Sequence, residues 1–185
     1  VYVDTGLYAL TNTVTVSVAD EGASNKLMTI QGSTNFAAGG TVLDRQFVGA
    51  DVVSVPASYV RLADLRLRGG RYGLYVSGQN GEYIGLHSMS NSYGFYEETS
   101  TLSLFARCAA IRNSVGYRAN ASASRWDQGL SWSNTVAFQL DVNPYPITIS
   151  NSVIVGGTVF SGSSGQPARG DYNVLWNVSI GLGYL

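Results

Sequence analysis

The chain has 185 residues, of which 45% are hydrophobic and only 12% charged, with a formal net charge of −1. Soluble proteins usually carry about 25% charged residues, so this chain must solvate itself with Ser, Asn, Thr, Tyr and Gly. There is no basic stripe to mark a nucleic-acid partner, no apolar run near the roughly 20 residues that span a bilayer, and only one cysteine, Cys108, so no internal disulfide. The 22 Gly, 12 Tyr and 4 Pro suit many short strands with tight corners and argue against helices.

In chain order, Val1-Tyr2-Val3 already reads as strand, with no signal peptide and no initiating Met; a processed product or a piece of a longer chain is expected. Further on, Leu65 and Leu67 alternate with Arg66 and Arg68, the period of a strand with one exposed face. Asp64, Arg66, Arg68 and Arg71 form a charged locus, with His87 one repeat later and set to stack on Arg66; exposed strand positions suffice to explain them.

Five segments then align: Gly69–Gly73, Ser90–Gly94, Arg112–Gly116, Ser133–Ala137 and Gly156–Phe160, with a weaker sixth ending at Gly183. Their last residues are spaced by 21 to 23 positions. Such a period marks a solenoid whose units close a core only by stacking. Three residues before each end stand Gly70, Asn91, Asn113, Asn134 and Gly157, which are expected to turn a corner in the left-handed conformation and to stack as an asparagine ladder. Tyr72, Tyr93, Val115, Val136 and Val159, and beyond the anchors Leu74, Phe95, Tyr117 and Phe138, alternate with small residues and are expected to face inward. Strands one coil apart run parallel at about 4.8 Å, so eight or so coils give a rod roughly 40 Å long. The predicted fold is an all-β, single-stranded right-handed parallel β-helix of about 21–23 residues per coil, forming one domain over residues 1–185. The second strand of each coil (Leu65/Leu67, Leu86/Met89, Cys108/Ala110/Ile111, Leu130/Trp132) keeps no common register.

Particular residues carry a resemblance. Val1 through Tyr8, Leu27 through Ser33, Thr41 through Asp44, the coil Tyr59 through Gly69, and Asp171-Tyr172-Asn173-Val174-Leu175-Trp176 resemble segments of pectate-lyase-like right-handed β-helix proteins. That superfamily includes lyases, hydrolases, epimerases, phage spikes and non-catalytic surface proteins, so the resemblance implies fold more than activity. Tyr93-Gly94-Phe95 resembles the start of a mannuronan-epimerase motif, without the Asp and His that should follow. The Asn-Thr-Asp and Asp-Asp of the hydrolases are absent, as is the acidic calcium cluster of pectate lyases. Calcium is the cofactor the resemblance would imply; with no ligand cluster, none is expected. The capping helix and C-terminal cover common in the family are not visible either, so an open end suited to end-to-end or homo-oligomeric contact is expected.

Candidate site residues lie just past the anchors. Tyr75, Tyr96, Arg118 and Gln139 stand two positions on; Ser77, Glu98, Asn120 and Asp141 stand four on. Both columns are expected to face solvent beside a shallow channel left by the small anchors. Tyr75 over Tyr96 makes an aromatic platform for sugar rings, with Arg118, Asn120 and Gln139 to bond hydroxyl or carboxylate groups, the Arg118 fork suiting a uronate. The alternative reading of the same columns is stacked surface side chains that stabilise the rod. Glu98, Arg118 and Asp141 are the catalytic candidates. The two carboxylates lie two coils apart, about 10 Å, just beyond the roughly 6.5–9.5 Å of inverting glycosidases. Arg118 between them would keep both ionised, which is wrong for a general acid. Glu97 falls in an inward column, and a bulge turning both Glu97 and Glu98 outward is expected.

One His and one Cys give no metal signature. Cys108 reads as a small buried hydrophobe. The Ser161–Gly170 insertion is the longest outside the coil pattern, and its Arg169-Gly170-Asp171 is read as a chance tripeptide. The favoured function is a non-catalytic β-helix module of a secreted or surface protein, extracellular or at the cell surface, presenting a carbohydrate-contacting face to a polysaccharide or glycan. The alternatives are a lyase or epimerase acting on uronate-containing glycans, and a structural spike or assembly component.

Overall fold

In a computed structural model, residues 1–99, 102–120, 123–141, 147–162 and 168–179 are described. Gly183 and residues 163–167 of the Ser161–Gly170 insertion lie outside the described residues. The chain is a parallel β-helix. Each coil contributes one short strand to each of three parallel sheets, of eight, seven and seven strands. The first sheet includes Leu65–Arg68, His87–Met89, Ala109–Ile111 and Leu130–Trp132; the second Tyr72–Val76, Tyr93–Glu97, Val115–Ala119 and Val136–Leu140; the third Val60–Ala63, Glu82–Ile84, Leu104–Ala106 and Arg125–Asp127. Helix is limited to two single 3₁₀ turns, Val18–Asp20 and Phe36–Ala38, among the described residues.

The interior is one continuous hydrophobic cluster. Two aromatic columns face each other across it. Tyr83, Phe105 and Trp126 of the third sheet stack in register, with ring centroids 4.8 and 5.7 Å apart. Phe95, Tyr117 and Phe138 of the second sheet meet them largely edge-on. Such pairs add about 0.5–1.5 kcal/mol each beyond their burial.

The asparagine ladder forms, one residue away from the predicted corner. At four corners the left-handed residues are Gly69, Ser90, Arg112 and Ser133, each directly before Gly70, Asn91, Asn113 and Asn134; at the fifth, the expected Gly157 is itself left-handed, as is Gly156 before it. Asparagine is there for its side chain. The amides of Gly70, Asn91 and Asn113 donate to the Oδ1 of the asparagine one coil on, at 2.8, 2.9 and 2.8 Å. The Nδ2 groups of Asn91, Asn113 and Asn134 donate back to the carbonyls of Leu67, Ser88 and Ala110. The corner amides of Gly70, Asn91 and Asn113 along this buried seam are thus satisfied.

The ladder also accounts for the irregular second strands. Leu67, Ser88, Ala110 and Ser131 share one inward column. Its serines are not surface residues, since Ser88 and Ser131 accept from Asn91 and Asn134 Nδ2, each at 2.9 Å. The anchors face the same seam, so the predicted surface channel does not form. A Cβ on Gly73 would lie 2.0 Å from Ser88 Oγ, and one on Gly94 2.4 Å from the Gly116 carbonyl.

Gly73 and Leu74 are both buried, as are Gly94 and Phe95, so two consecutive residues point inward and the strict alternation breaks at the anchor. Tyr72 and Tyr93, expected inside, are consequently turned out of the core.

Candidate functional site

On the outer face of the second sheet the pairing aligns Tyr75, Tyr96, Arg118 and Gln139 in one column. Tyr72 and Tyr93 pair beside them. The four tyrosines pack as a block across two coils. Tyr72 lies 4.8 Å from Tyr96, 5.2 Å from Tyr93 and 5.7 Å from Tyr75, centroid to centroid. Tyr96 is only 7% exposed, because Tyr72, Tyr93 and Arg118 cover it. It forms the floor of the patch, and Tyr72, Tyr75 and Tyr93 carry its half-buried surface.

Two arginines lie against this block. The Arg118 guanidinium carbon sits 4.9 Å from the Tyr96 centroid and 5.4 Å from that of Tyr93; Arg71 sits 4.5 Å from Tyr72. Both are within the range of a cation–π contact. Arg118 Nε also donates to Asp141 at 2.6 Å, and Gln139 Nε2 reaches the other Asp141 oxygen at 3.3 Å. Burial works against the charged guanidinium of Arg118, but the bond and charge of Asp141 outweigh it and raise its pKa. Arg71 pairs with Asp51 at 3.2 Å.

The catalytic candidates therefore divide. Arg118 and Asp141 come together as an ion pair, while Glu98 accepts a hydrogen bond from the Tyr75 hydroxyl. Burial, then that bond and the Glu98 charge, push the Tyr75 pKa upward and hold its phenol protonated. Asn120 is half-buried, its backbone amide bonded to the Glu97 carbonyl.

Glu97 does not bulge outward. It pairs in register with Val76 and Ala119 and is fully buried. Its carboxyl accepts from the Tyr117 hydroxyl and, at 2.8 Å, from Ser124 Oγ. This internal network answers the cost of burying a carboxyl.

The residues the sequence did not assign to this face are Tyr72 and Tyr93, expected inside, and Arg71, grouped with Asp64, Arg66 and Arg68. The available signal was two large polar-tipped aromatics directly before anchor glycines, in a column otherwise filled by valine.

At the charged locus of the first sheet, His87 does pair with Arg66. Its ring stacks on Phe36, with centroids 5.7 Å apart and planes 8° from parallel, and Arg66 lies 5.1 Å from the same Phe36 ring. Burial first and Arg66 second lower the His87 pKa, against an opposing pull from Asp64. Arg68 and Asp44 form a separate ion pair at 2.8 Å. Cys108 is buried, donates to the Tyr83 carbonyl at 3.2 Å, and is pushed up to about 12 by desolvation, so it is no nucleophile.

Among the described residues no three His, Cys, Asp or Glu side chains converge as a metal site, and no helix is long and apolar enough to cross a membrane.

No protein family matches the chain, and neither does any curated protein. Among solved structures it is similar to the crystal structure of an alginate lyase from Paenibacillus sp. str. FPU-7, at 13% identity and a TM-score of 0.44, over 97% of this chain and 90% of that one.

Proposed function

We propose that this β-helix is an extracellular or cell-surface module that contacts a glycan through the outer face of its second sheet, and that it binds without cleaving. The observation that carries this is the block of four tyrosines on one rigid sheet, with Arg118, Gln139 and Asn120 beside it. Tyrosine rings offer apolar faces to the C–H surface of a pyranose, and their hydroxyls, with the neighbouring amides, bond its hydroxyls. They do so at low entropic cost, because parallel pairing already fixes the rings.

Several features support binding over catalysis. A lyase needs a base near neutral pKa, whereas the Tyr75 phenol is held protonated and Arg118 is tied to Asp141. The one histidine stands on another sheet.

The test is calorimetric titration of the purified chain against soluble glycans, with ultraviolet absorbance followed for unsaturated product. Saturable binding is expected, weakened about tenfold, or roughly 1.4 kcal/mol, in Tyr75→Ala and in Tyr93→Ala at unchanged circular dichroism. Absence of binding across the panel would sink the proposal. Product that disappears in Glu98→Gln or Arg118→Ala would make the protein an enzyme.

A further inference from the structure

We infer that the tyrosine face selects uncharged glycans and discriminates against uronate-rich chains; this rests on the glycan-contacting function proposed above and specifies its ligand class. The sequence alone pointed the other way, since the Arg118 fork is suited to a uronate carboxylate. In the folded chain that guanidinium is already engaged through its Nε. Its Nε donates to Asp141 at 2.6 Å, and its plane lies against Tyr96 and Tyr93. Arg71, the other cation of the patch, is held by Asp51 at 3.2 Å through both Nε and a terminal nitrogen.

The charges around the tyrosines are Arg71, Arg118, Asp51, Asp141 and Glu98. The three carboxyl groups outnumber the two guanidinium groups, and Glu98, bonded by the Tyr75 hydroxyl, has no arginine partner among the described residues. A polyuronate laid across the rings would bring a carboxylate on every sugar toward this excess negative charge. To gain an arginine it would have to compete with the aspartate already bonded to it, Asp141 on Arg118 and Asp51 on Arg71.

An uncharged sugar meets no such conflict. Gln139 shares the outward column of Tyr75, Tyr96 and Arg118, and its amide, like that of the half-buried Asn120, bonds hydroxyls without regard to charge. Aromatic faces likewise favour the C–H surface of a neutral pyranose over a strongly hydrated carboxylate.

The experiment is a paired titration, a soluble neutral glucan against a polyuronate of matched chain length, at low and at high salt. The neutral chain is expected to bind at least tenfold more tightly at low salt, and the gap is expected to narrow as salt screens the carboxylates. Two variants report independently. Asp141→Asn frees the Arg118 fork, and Asp51→Asn frees Arg71. Each is expected to raise polyuronate affinity several-fold, and either one serves if the other fails to fold.

Equal or tighter binding of the polyuronate by the unmodified chain would overturn this selectivity and leave the glycan-contacting function standing. So would folded Asp→Asn variants that gain nothing for polyuronate. Binding of neither chain would overturn both.

Discussion

Two columns of side chains repeat once per coil on the same stretch of chain, a few residues apart, and they behave in opposite ways. The asparagines at 91, 113 and 134 form a closed system, in which every side-chain oxygen and NH2 group of the three finds a partner along the buried seam. The tyrosines at 72, 75, 93 and 96 form an open one, packed ring to ring over the buried Tyr96, with the outer surfaces of Tyr72, Tyr75 and Tyr93 left to solvent and two arginines against them. Repetition alone does not separate a structural ladder from a binding face; closure of the hydrogen bonds does.

The sharpest way to break this comparison is to open the ladder. Asn113→Ala leaves the Asn91 amide without its acceptor and the Ser88 carbonyl without its donor, both inside the seam. A loss of about 3–4 kcal/mol is expected, read as a denaturant midpoint shift and a Tm lower by roughly 10 °C. A loss below about 1 kcal/mol would mean the ladder is ornament.

Next comes a matched pair of adjacent acids. Glu97→Ala removes the acceptor of Tyr117 and Ser124 in the core and is expected to cost about 2–3 kcal/mol. Glu98→Gln, one residue away on the open face, is expected to change stability by no more than about 0.5 kcal/mol. Chemical denaturation of the two variants side by side decides the matter; equal effects would mean that Glu97 is not inside.

The smallest effect is a pH dependence on the first sheet. The His87 pKa is lowered in the folded chain, so folding favours the neutral ring. That stability is fully present above the unfolded value of about 6.5 and is lost as the pH falls toward the folded value, because the unfolded state then binds more protons. Stability measured from pH 7.5 to 5 should decline by about 1 kcal/mol or less, and His87→Gln should flatten that limb.

How much of this was legible beforehand follows from which physical signals a repeat transmits. The spacing of Gly73, Gly94, Gly116 and Ala137 sets the coil length, and with it the neighbour relations of Tyr75, Tyr96, Arg118 and Gln139, which pair as aligned. Side-chain direction near the anchors is not transmitted. Strand parity assumes strict alternation, and the anchors break it by turning two consecutive residues inward, which sends Tyr72 and Tyr93 outward.

The same limit explains the corner. Asn91 looked like the left-handed residue because asparagine tolerates that conformation, yet Ser90 takes it and Asn91 is held by its side-chain bonds. The partners of Ser88 and Ser131 lie three residues further along the chain and become neighbours only once the corner is turned. Glu97 needed an internal partner from the next coil, Tyr117, that no local pattern announces.

The most direct test is a crystal structure of the chain with a bound neutral oligosaccharide. A sugar ring is predicted to lie against the Tyr75 and Tyr93 rings at van der Waals contact, about 4 Å, with the Arg118–Asp141 pair intact. A ring bound on another sheet, or a tyrosine face left bare at saturating sugar, would contradict the account.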